Sequence, residues 1–246
     1  MLPRGSWPER LIRLLFGLLT LAIVLLLVIA GRPWETIPTV WNPWAPLAID
    51  HPLNPVTRWK LARHNDDRDL CLQALASAPS GYLNYLPLED HIPVAGCPLE
   101  NVVRVRHSGV TFNAGFVATC SLLVRWTMFE RQALQPLAAY HFDAAVDAVE
   151  HYGSFSCRNI YGRENARLSE HASASALDLA AFTLDDGTTI KVLDHWTNDS
   201  APHKQAFLRD VHRAACNYFG TVLGPEYNQA HSNHFHLDTR RFGICR

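Results

Sequence analysis

Residues 176–192 read Ala176-LDLAAFTLDDGTTIK-Val192, two strand-like runs with a tight turn between them. Ala176–Leu184 and Thr188–Val192 are rich in apolar and β-branched residues, as strands usually are. Asp186-Gly187 is a dipeptide that favours the positive φ angles of a two-residue turn. The segment therefore predicts a β-hairpin.

The pattern changes on either side of this hairpin. Upstream we expect helices over 58–78, over Phe116–Leu134 (stopped by Pro136) and over 141–151, with short strands near 82–86 and 102–112. Downstream we expect a helix over 203–218, a break at Gly224-Pro225 and a final strand over 234–237. Helices that come first, followed by hairpin-linked strands, predict a single α+β domain rather than a parallel α/β sheet.

The N-terminus predicts export from the cytoplasm. Residues 14–30 read LLFGLLTLAIVLLLVIA and carry no charge, and with residues 11–13 they approach the length of a membrane span. The three arginines before this run, at positions 4, 10 and 13, predict a cytoplasmic N-terminus at residues 1–10 and an anchor over 11–30. A signal peptide cleaved after Val28-Ile29-Ala30 is the alternative, although its apolar region would be unusually long.

The remaining 216 residues carry 19 basic and 22 acidic side chains, a net charge of −3. A body this weakly acidic does not fit a nucleic-acid binder, which needs a basic face to displace counterions. Residues 31–56 read as a linker rich in proline and tryptophan, with tryptophans that either meet lipid headgroups or pack on the domain. The folded domain is expected over 57–246.

All six cysteines lie beyond the apolar segment: Cys71, Cys97, Cys120, Cys157, Cys216 and Cys245. No CxxC pair occurs, so neither a thiolate zinc site nor a thioredoxin-like motif is expected. An even number of cysteines in an exported domain predicts up to three disulfides, and spacing alone leaves 15 pairings open.

Two segments carry the candidate chemistry. In the predicted last strand, His234 and His236 alternate and so share one face. In the segment Ser169–Asp178, a histidine at 171 leads through small residues to a carboxylate at 178. Taken together, His171, Asp178 and one histidine of the HxH pair offer two nitrogens and one oxygen. This set is typical of catalytic zinc, with a fourth position left for water.

These residues resemble a known family. Ser169–Asp178 fits the pattern SxHxx(G/A)xAxD, and with His234-Phe235-His236 it is similar to the zinc site of the lysostaphin-type, D-Ala-D-Ala and hedgehog-like (LAS) metallopeptidases. Over residues 57–246 the chain more closely resembles the bacterial extensin-like C-terminal domain family. The motifs that carry this likeness are Gly153-SFSC-Arg158, Leu168-SEH-Ala172, the Asp178 strand, Gly224-PEY-Asn228 and Cys245-Arg246.

The resemblance implies a fold and a set of roles. The implied fold is an antiparallel sheet with flanking helices, as in hedgehog and D-Ala-D-Ala peptidases. The implied ligands of one zinc ion are His171, Asp178 and His236. His234 would act on the reacting atoms with His231 flanking the site, as in penicillin-insensitive murein endopeptidase, and Arg158 and Ser169 would bind substrate.

The chain departs from this pattern at three places. Ala174 stands where glycine is usual, which costs little only if the backbone there avoids positive φ. Asn233 replaces an expected aspartate, and no glutamate comes just before His234.

The expected function is a zinc peptidase anchored in the inner membrane, which cleaves peptidoglycan peptides at the periplasmic face. The alternatives are a non-catalytic module of the same fold that binds metal, wall peptides or cell-wall glycan, and a disulfide-stabilised domain without metal. A cleaved signal would instead leave a soluble periplasmic or secreted protein.

Overall fold

The computed structural model describes residues 7–63, 67–240 and 243–246. The predicted cytoplasmic residues 1–6, including Arg4, and the side chain of Trp34 lie outside the described part. The helices are α1 (Trp7–Gly31), α2 (Pro55–Arg63), α3 (Arg68–Ala76), α4 (Cys120–Phe129), α5 (Gln135–Phe142), α6 (Val192–His195) and α7 (Pro202–Ala215). The strands are β1 (Asn84–Pro87), β2 (His91–Val94), β3 (Cys97–Leu99), β4 (Val102–His107), β5 (Thr111–Thr119), β6 (Val146–His151), β7 (Ala176–Leu184), β8 (Thr189–Lys191), β9 (Thr221–Leu223) and β10 (Phe235–Asp238).

An eight-stranded sheet forms the centre of the α+β domain. Its order is β1-β4-β5-β6-β7-β10-β9, with β8 paired to β7, while β2 and β3 form a separate two-stranded hairpin. The expected all-antiparallel sheet is wrong in one place, because β5 and β6 pair in parallel. The chain between them passes through α4 and α5, and such a crossover returns the second strand in the same direction as the first.

The hairpin prediction over 176–192 is confirmed. β7 spans Ala176–Leu184 as expected, and β8 pairs with it in antiparallel register. Gly187 adopts a φ of 85° in the turn between them. The predicted break at Gly224-Pro225 is also present, between β9 and β10.

The helix predicted over Phe116–Leu134 begins only at Cys120, because residues 116–119 complete β5. Thr119 caps it by accepting a hydrogen bond from the Leu122 N–H. The predicted stop at Pro136 is wrong. Residues 130–134 form a π turn that leads directly into α5, and Pro136 is the second residue of α5, so the helical path continues through the proline.

The helix predicted over 141–151 is wrong as well. Asp143, at a φ of 53°, ends α5, and Val146–His151 is the strand β6. The three-residue spacing of Val146 and Val149 favours a helix in the sequence. A register shift in the pairing with β7, between Val146 and Ala148, lets both valines be buried in a strand instead.

The single helix predicted over 58–78 corresponds to two helices in the structure, α2 and α3. Residues 64–66 lie outside the described part. The core that the two helices cover includes large, fully buried side chains, namely Trp126, Phe129, Phe182, Phe207 and Phe235. Leu47 and Ile49 belong to the same core, so packing on the domain begins within the proline-rich segment.

All six cysteines are paired, as predicted: Cys71–Cys120, Cys97–Cys157 and Cys216–Cys245. The first bridge joins α3 to the start of α4. The second joins β3 to the segment after β6, and the third joins the end of α7 to residue 245 beside β9. Each bridge thus fixes a peripheral element to its neighbour.

Helix α1 differs from every element of the domain. None of its 25 residues is buried, and its most apolar 18-residue window has a mean hydropathy of 2.9. Its length and composition fit a membrane span or a signal sequence.

Candidate metal centre

The sheet register places two of the predicted ligands side by side. β7 and β10 are antiparallel neighbours, and Asp178 lies directly opposite His236. Residues that face each other in this way have Cβ atoms about 4.5–5.5 Å apart, close enough for their side chains to reach a common point. The alternation seen in the sequence therefore sets an imidazole against a carboxylate.

The third predicted ligand comes from a short 3₁₀ turn, Glu170–Ser173, just before β7. The Ser169 hydroxyl caps this turn by accepting a hydrogen bond from the His171 N–H at 3.4 Å. His171 itself is buried, with 4% of its surface exposed. The cap and the burial hold its ring over the start of the strand that carries Asp178.

The three side chains converge. His171 Nε2 lies 3.1 Å from His236 Nδ1 and 3.2 Å from the Asp178 carboxylate. His236 Nδ1 lies 2.9 Å from that carboxylate. Tetrahedral zinc with ligands at about 2.0–2.1 Å separates neighbouring ligand atoms by about 3.3 Å. His171 contacts Oδ2 of Asp178 and His236 contacts Oδ1, so the carboxylate bridges the two imidazoles, and each separation is close to that between neighbouring ligands of such an ion.

The outward nitrogen of each predicted histidine ligand has an acceptor of its own. His171 Nδ1 faces the Ser154 carbonyl oxygen at 3.2 Å, and His236 Nε2 faces the Asp238 carboxylate at 3.5 Å. If these nitrogens carry the protons, the inward Nε2 of His171 and Nδ1 of His236 keep their lone pairs. Such outer acceptors orient the histidines of many metal sites. The donor set thus fits a metal ion in chemistry as well as in distance.

The cluster perturbs its own titration. Burial acts to raise the pKa of Asp178, but the hydrogen bonds and charges of His171 and His236 outweigh it and hold that pKa well below its usual range. Burial acts to lower the pKa of His236, and Asp178 and Asp238 outweigh it and raise that pKa to about 9. The metal-free cluster therefore pairs an ionised Asp178 with a protonated His236 at pH 7, and a cation that binds there must displace the proton from His236 Nδ1.

The other two predicted histidines border the cluster. His234 Nε2 lies 3.6 Å from the Asp178 carboxylate, while His234 Nδ1 faces the Asn233 side-chain oxygen at 2.8 Å. His231 Nδ1 faces the Asn228 side-chain oxygen at 2.8 Å. Burial lowers the pKa of both histidines. For His231, repulsion from the neighbouring histidines adds to the effect of burial and brings the pKa to about 4. Both rings are neutral at pH 7.

All seven predicted site residues line one cavity of about 230 Å³: Arg158, Ser169, His171, Asp178, His231, His234 and His236. Arg158 is exposed at its rim. Ser169 lines the cavity too, although its hydroxyl is already used as the cap of the 3₁₀ turn.

Sequence reasoning missed several side chains of this cavity. Asp238 is fully buried, and its other carboxylate oxygen accepts hydrogen bonds from the Thr221 and Arg240 N–H groups. It follows His236 by two residues on the same strand, so the alternation that identified the HxH pair also extends to it. Tyr227 and Tyr161 also line the cavity. Tyr227 belongs to the Gly224–Asn228 motif, but nothing in the sequence identified Tyr161.

The departure at Ala174 has a conformational cost. Its φ is +54°, in the left-handed region, so the condition under which the replacement would cost little is not met. A left-handed residue with a Cβ costs about 1–2 kcal/mol. The position is fixed because the Ala174 carbonyl accepts a hydrogen bond from the Thr119 N–H at 2.9 Å. Alanine, with the smallest side chain after glycine, fills the space beside Leu99 and Val102.

A second group of metal-binding residue types occurs at His212, Cys216 and Cys245. Its two sulfur atoms are joined in a disulfide, so no thiolate is available to a metal. Among the described residues, the histidine–aspartate cluster is the one group with free ligand atoms.

A family model described as "Extensin-like protein C-terminus" matches residues 69–246. The match covers well over half of the chain, and it contains the metal cluster, the cavity and all three disulfides. Neither a curated protein nor a solved structure matches the chain. The likeness to LAS zinc peptidases therefore rests on the sequence motifs alone.

Proposed function

The chain belongs to the extensin-like C-terminal family, and from this premise and the geometry of its histidine–aspartate cluster we propose a membrane-anchored zinc peptidase that cleaves peptidoglycan peptides. One observation supports the proposal above all. The two ring nitrogens of His171 and His236 lie 3.1 Å apart, each within 3.2 Å of an oxygen of Asp178, in a cavity that also holds two neutral histidines.

The proposed zinc ligands are His171 Nε2, one oxygen of Asp178 and His236 Nδ1. When bound, zinc supplies a Lewis acid that polarises a carbonyl group and makes water acidic near neutral pH. The protein supplies the remaining parts. Ser154 and Asp238 orient the two histidine ligands, and burial of the cluster keeps competing water away from them.

His234 is the proposed general base. With its Nδ1–H donated to Asn233, its Nε2 keeps a lone pair beside the Asp178 carboxylate and can accept a proton from water. His231, oriented in the same way by Asn228, flanks the base, and its pKa of about 4 leaves its Nε2 unprotonated at pH 7, so it is proposed as a hydrogen-bond acceptor for water or substrate N–H groups. Arg158 at the rim would bind a substrate carboxylate through two parallel hydrogen bonds.

The proposed location is the inner membrane, with α1 as a single span, the N-terminus in the cytoplasm and the domain in the periplasm. Arg10 and Arg13 at the start of α1 support this orientation. Three disulfides support an oxidising compartment. Cleavage of α1 as a signal would leave the same domain soluble in that compartment.

A non-catalytic module that binds metal or cell-wall polymer is the second candidate. One observation favours it. The carboxylates that line the cavity are Asp178 and Asp238, and both already face histidines. No glutamate lines the cavity to act as the base, so that role depends on a histidine alone.

Metal content of the full chain, purified in detergent with its disulfides intact, tests the proposal. We expect about one zinc per wild-type chain by elemental mass spectrometry, and loss of zinc in His171→Ala and His236→Ala. Asp238→Asn retains one oxygen for the Thr221 and Arg240 N–H groups but no longer faces His236 with a carboxylate. Zinc affinity should then fall about 10–100-fold.

Activity on purified peptidoglycan separates the two candidates. His234→Ala should keep its zinc and lose turnover by about 10²–10⁴-fold. His203→Ala, at an exposed histidine of α7 outside the cavity, is the matched control and should match wild type in both assays. A wild type that binds zinc without turnover supports the non-catalytic module, and a folded wild type that refuses added zinc overturns both metal-based proposals.

A further inference from the structure

The central sheet opens into a groove beside the metal centre. β5 and β6 pair in parallel only at Thr111↔Ala148 and Phe112↔Val149. Beyond these two pairs the strands diverge, and β5 continues for seven residues to Thr119 while it stays paired to β4. A groove of about 490 Å³ occupies the gap.

The floor of the groove is an open strand edge. On β5, Phe116 and Ala118 lie opposite residues of β4, and the Cys120 N–H bonds to the Asn101 carbonyl. In an antiparallel ladder the hydrogen-bonding direction alternates, so Val117 directs its main-chain groups away from β4, whereas the register shift between Val105 and His107 interrupts the alternation before Phe116. Within the described residues no strand pairs with 114–117 on that side. The Val117 carbonyl there accepts a hydrogen bond from the Ser154 hydroxyl, and the Ala114 carbonyl lies 2.9 Å from His151 Nε2. Side chains of the 151–154 segment thus use one lone pair of each carbonyl, and a peptide would bind through the Val117 N–H and the remaining lone pairs.

The groove is shaped for an extended chain. Two small, exposed residues, Ala114 and Gly115, form part of its floor. Its walls include Pro93, Tyr152 and Phe155. A strand added along such an edge gains main-chain hydrogen bonds, and side pockets take alternate side chains.

The charge of the groove favours an acidic occupant. Arg104 lines it and is exposed, and it forms no ion pair with any described residue. Two histidines, His91 and His151, also line the groove. Among the described residues, no carboxylate lines it.

One segment connects the groove to the metal cavity. Tyr152 forms a wall of the groove, and its ring centre lies 5.7 Å from that of His234, which lines the cavity. The Tyr152 hydroxyl also meets the Asn233 amide at 3.5 Å. Ser154 lines the groove, and its carbonyl oxygen lies 3.2 Å from His171 Nδ1. A polymer in the groove would therefore lie next to the proposed reaction site.

We propose that this groove binds an extended acidic peptide along the open edge of β5. The choice of peptide rests on the proposed function: the groove would hold the acidic part of a peptidoglycan stem peptide that extends beyond the metal cavity. Binding there uses the main chain of β5 and the Arg104 guanidinium, and needs no metal.

Fluorescence anisotropy with a dye-labelled stem peptide tests this on the full chain in detergent micelles, with and without a chelator. We expect Arg104→Gln to weaken binding by about three- to tenfold, the effect of one charge-assisted contact. The matched control is Arg106→Gln, which removes the same charge from an exposed position two residues along β4, outside the groove. It should leave the affinity within about twofold, because an exposed charge outside the groove makes no direct contact with the peptide and contributes little in water.

Chemical changes to the probe test the strand-like mode without altering the protein. Amidation of the probe's carboxyls should reproduce the effect of Arg104→Gln and remove the difference between that variant and wild type. N-methylation at successive peptide bonds should weaken binding at alternate positions, because only every second N–H would face β5.

Three outcomes would overturn the proposal: equal effects of the two arginine variants, equal competition by a peptide-free glycan strand, or complete loss of binding on removal of metal. The last would assign the peptide to the metal cavity. Metal-independent binding in a chain that never holds zinc would instead support the groove and refute the proposed peptidase.

Discussion

At the candidate metal centre, the nitrogen that each histidine offers to a metal depends on the hydrogen-bond partner of its other nitrogen. His171 and His236 use opposite nitrogens, Nε2 and Nδ1, because their outward atoms face the Ser154 carbonyl and the Asp238 carboxylate. A pattern of residue types cannot specify this choice. The choice depends on the path of the turn before β7, which brings His171 to the Ser154 carbonyl, and on the presence of Asp238 two residues after His236.

A second buried carboxylate, Glu130, lies far from the cavity in the π turn. It is fully buried, and one of its oxygens accepts a hydrogen bond from the Tyr82 hydroxyl at 2.8 Å. The other oxygen has no hydrogen-bond partner among the described residues. Burial raises the pKa of Glu130, against the smaller opposing effects of Ser108, Tyr82, Trp126 and Arg131. The folded protein therefore binds the proton of Glu130 more tightly than the unfolded chain does.

This shift predicts a pH dependence of stability. Below the unfolded pKa, both states hold the proton and the stabilising contribution is complete. As pH rises through the raised pKa, the folded state must lose a proton that it binds more tightly than the unfolded state, so the free energy of unfolding falls. Glu130→Gln cannot ionise, and its stability should depend less on pH above about 4.5, near the unfolded pKa.

Urea denaturation of wild type and Glu130→Gln, followed from pH 4.5 to pH 8, measures the difference. Asp185→Asn, at an exposed carboxylate of the hairpin turn, is the control and should give a curve parallel to wild type. If the Glu130→Gln curve were parallel as well, the folded pKa of Glu130 would not be raised.

At the scale of elements, local patterns predicted what depends on neighbours in the chain. The hairpin of β7 and β8 follows from strand-like residues around Asp186-Gly187, and the helix α7 from its apolar periodicity. Patterns failed where distant partners decide the conformation. Residues 116–119 extend a strand because β4 pairs with them, and 146–151 form a strand between β5 and β7.

The candidate site shows the same division. The spacing of residue types singled out His171, Asp178 and the His234–His236 pair, whereas Arg158, Ser169 and His231 came from the family resemblance, and all seven line one cavity. The sequence did not identify Asp238 or Ser154, whose roles depend on the pairing of β7 with β10 and on the path of the chain after β6.

The β2–β3 hairpin forms one side of the peptide groove and is tied to the opposite side by Cys97–Cys157. Replacement of both cysteines by serine should lower the free energy of unfolding by about 2–5 kcal/mol, since the bridge closes a long loop. Hydrogen exchange should rise chiefly over 91–99 and 152–158, as measured by mass spectrometry.

Replacement of Cys71 and Cys120 by serine is the matched comparison. That bridge joins α3 to α4, so exchange should rise there and leave the groove protected. Identical exchange maps for the two double variants would contradict a local role for Cys97–Cys157.

At the scale of the whole molecule, the chain consists of one domain and one helix of opposite character. The apolar side chains of the domain are mostly enclosed, whereas α1 exposes all of its own. A helix of this kind needs an apolar solvent. The proposed anchor therefore predicts that α1 stays with the mature protein in the membrane.

The intact mass of the protein recovered from cell membranes tests this. We expect the mass of the uncleaved chain, about 27.7 kDa. Ala30→Leu removes the small residue that a signal peptidase would need, and it should leave both the location and the residues retained unchanged. A wild-type protein that starts after Ala30, together with an Ala30→Leu variant that keeps α1, would show that α1 is a cleaved signal.

The interlocked order of two bridges affects how the protein matures. Cys97 lies between Cys71 and Cys120 in the chain, and Cys120 lies between Cys97 and Cys157. A chain that emerges N-terminus first exposes Cys97 before either native partner of the first two cysteines is available, so consecutive pairing joins Cys71 to Cys97. Wherever this consecutive bond forms first, maturation requires that it be reshuffled, so we expect the yield of native protein to depend on a disulfide isomerase in the host compartment.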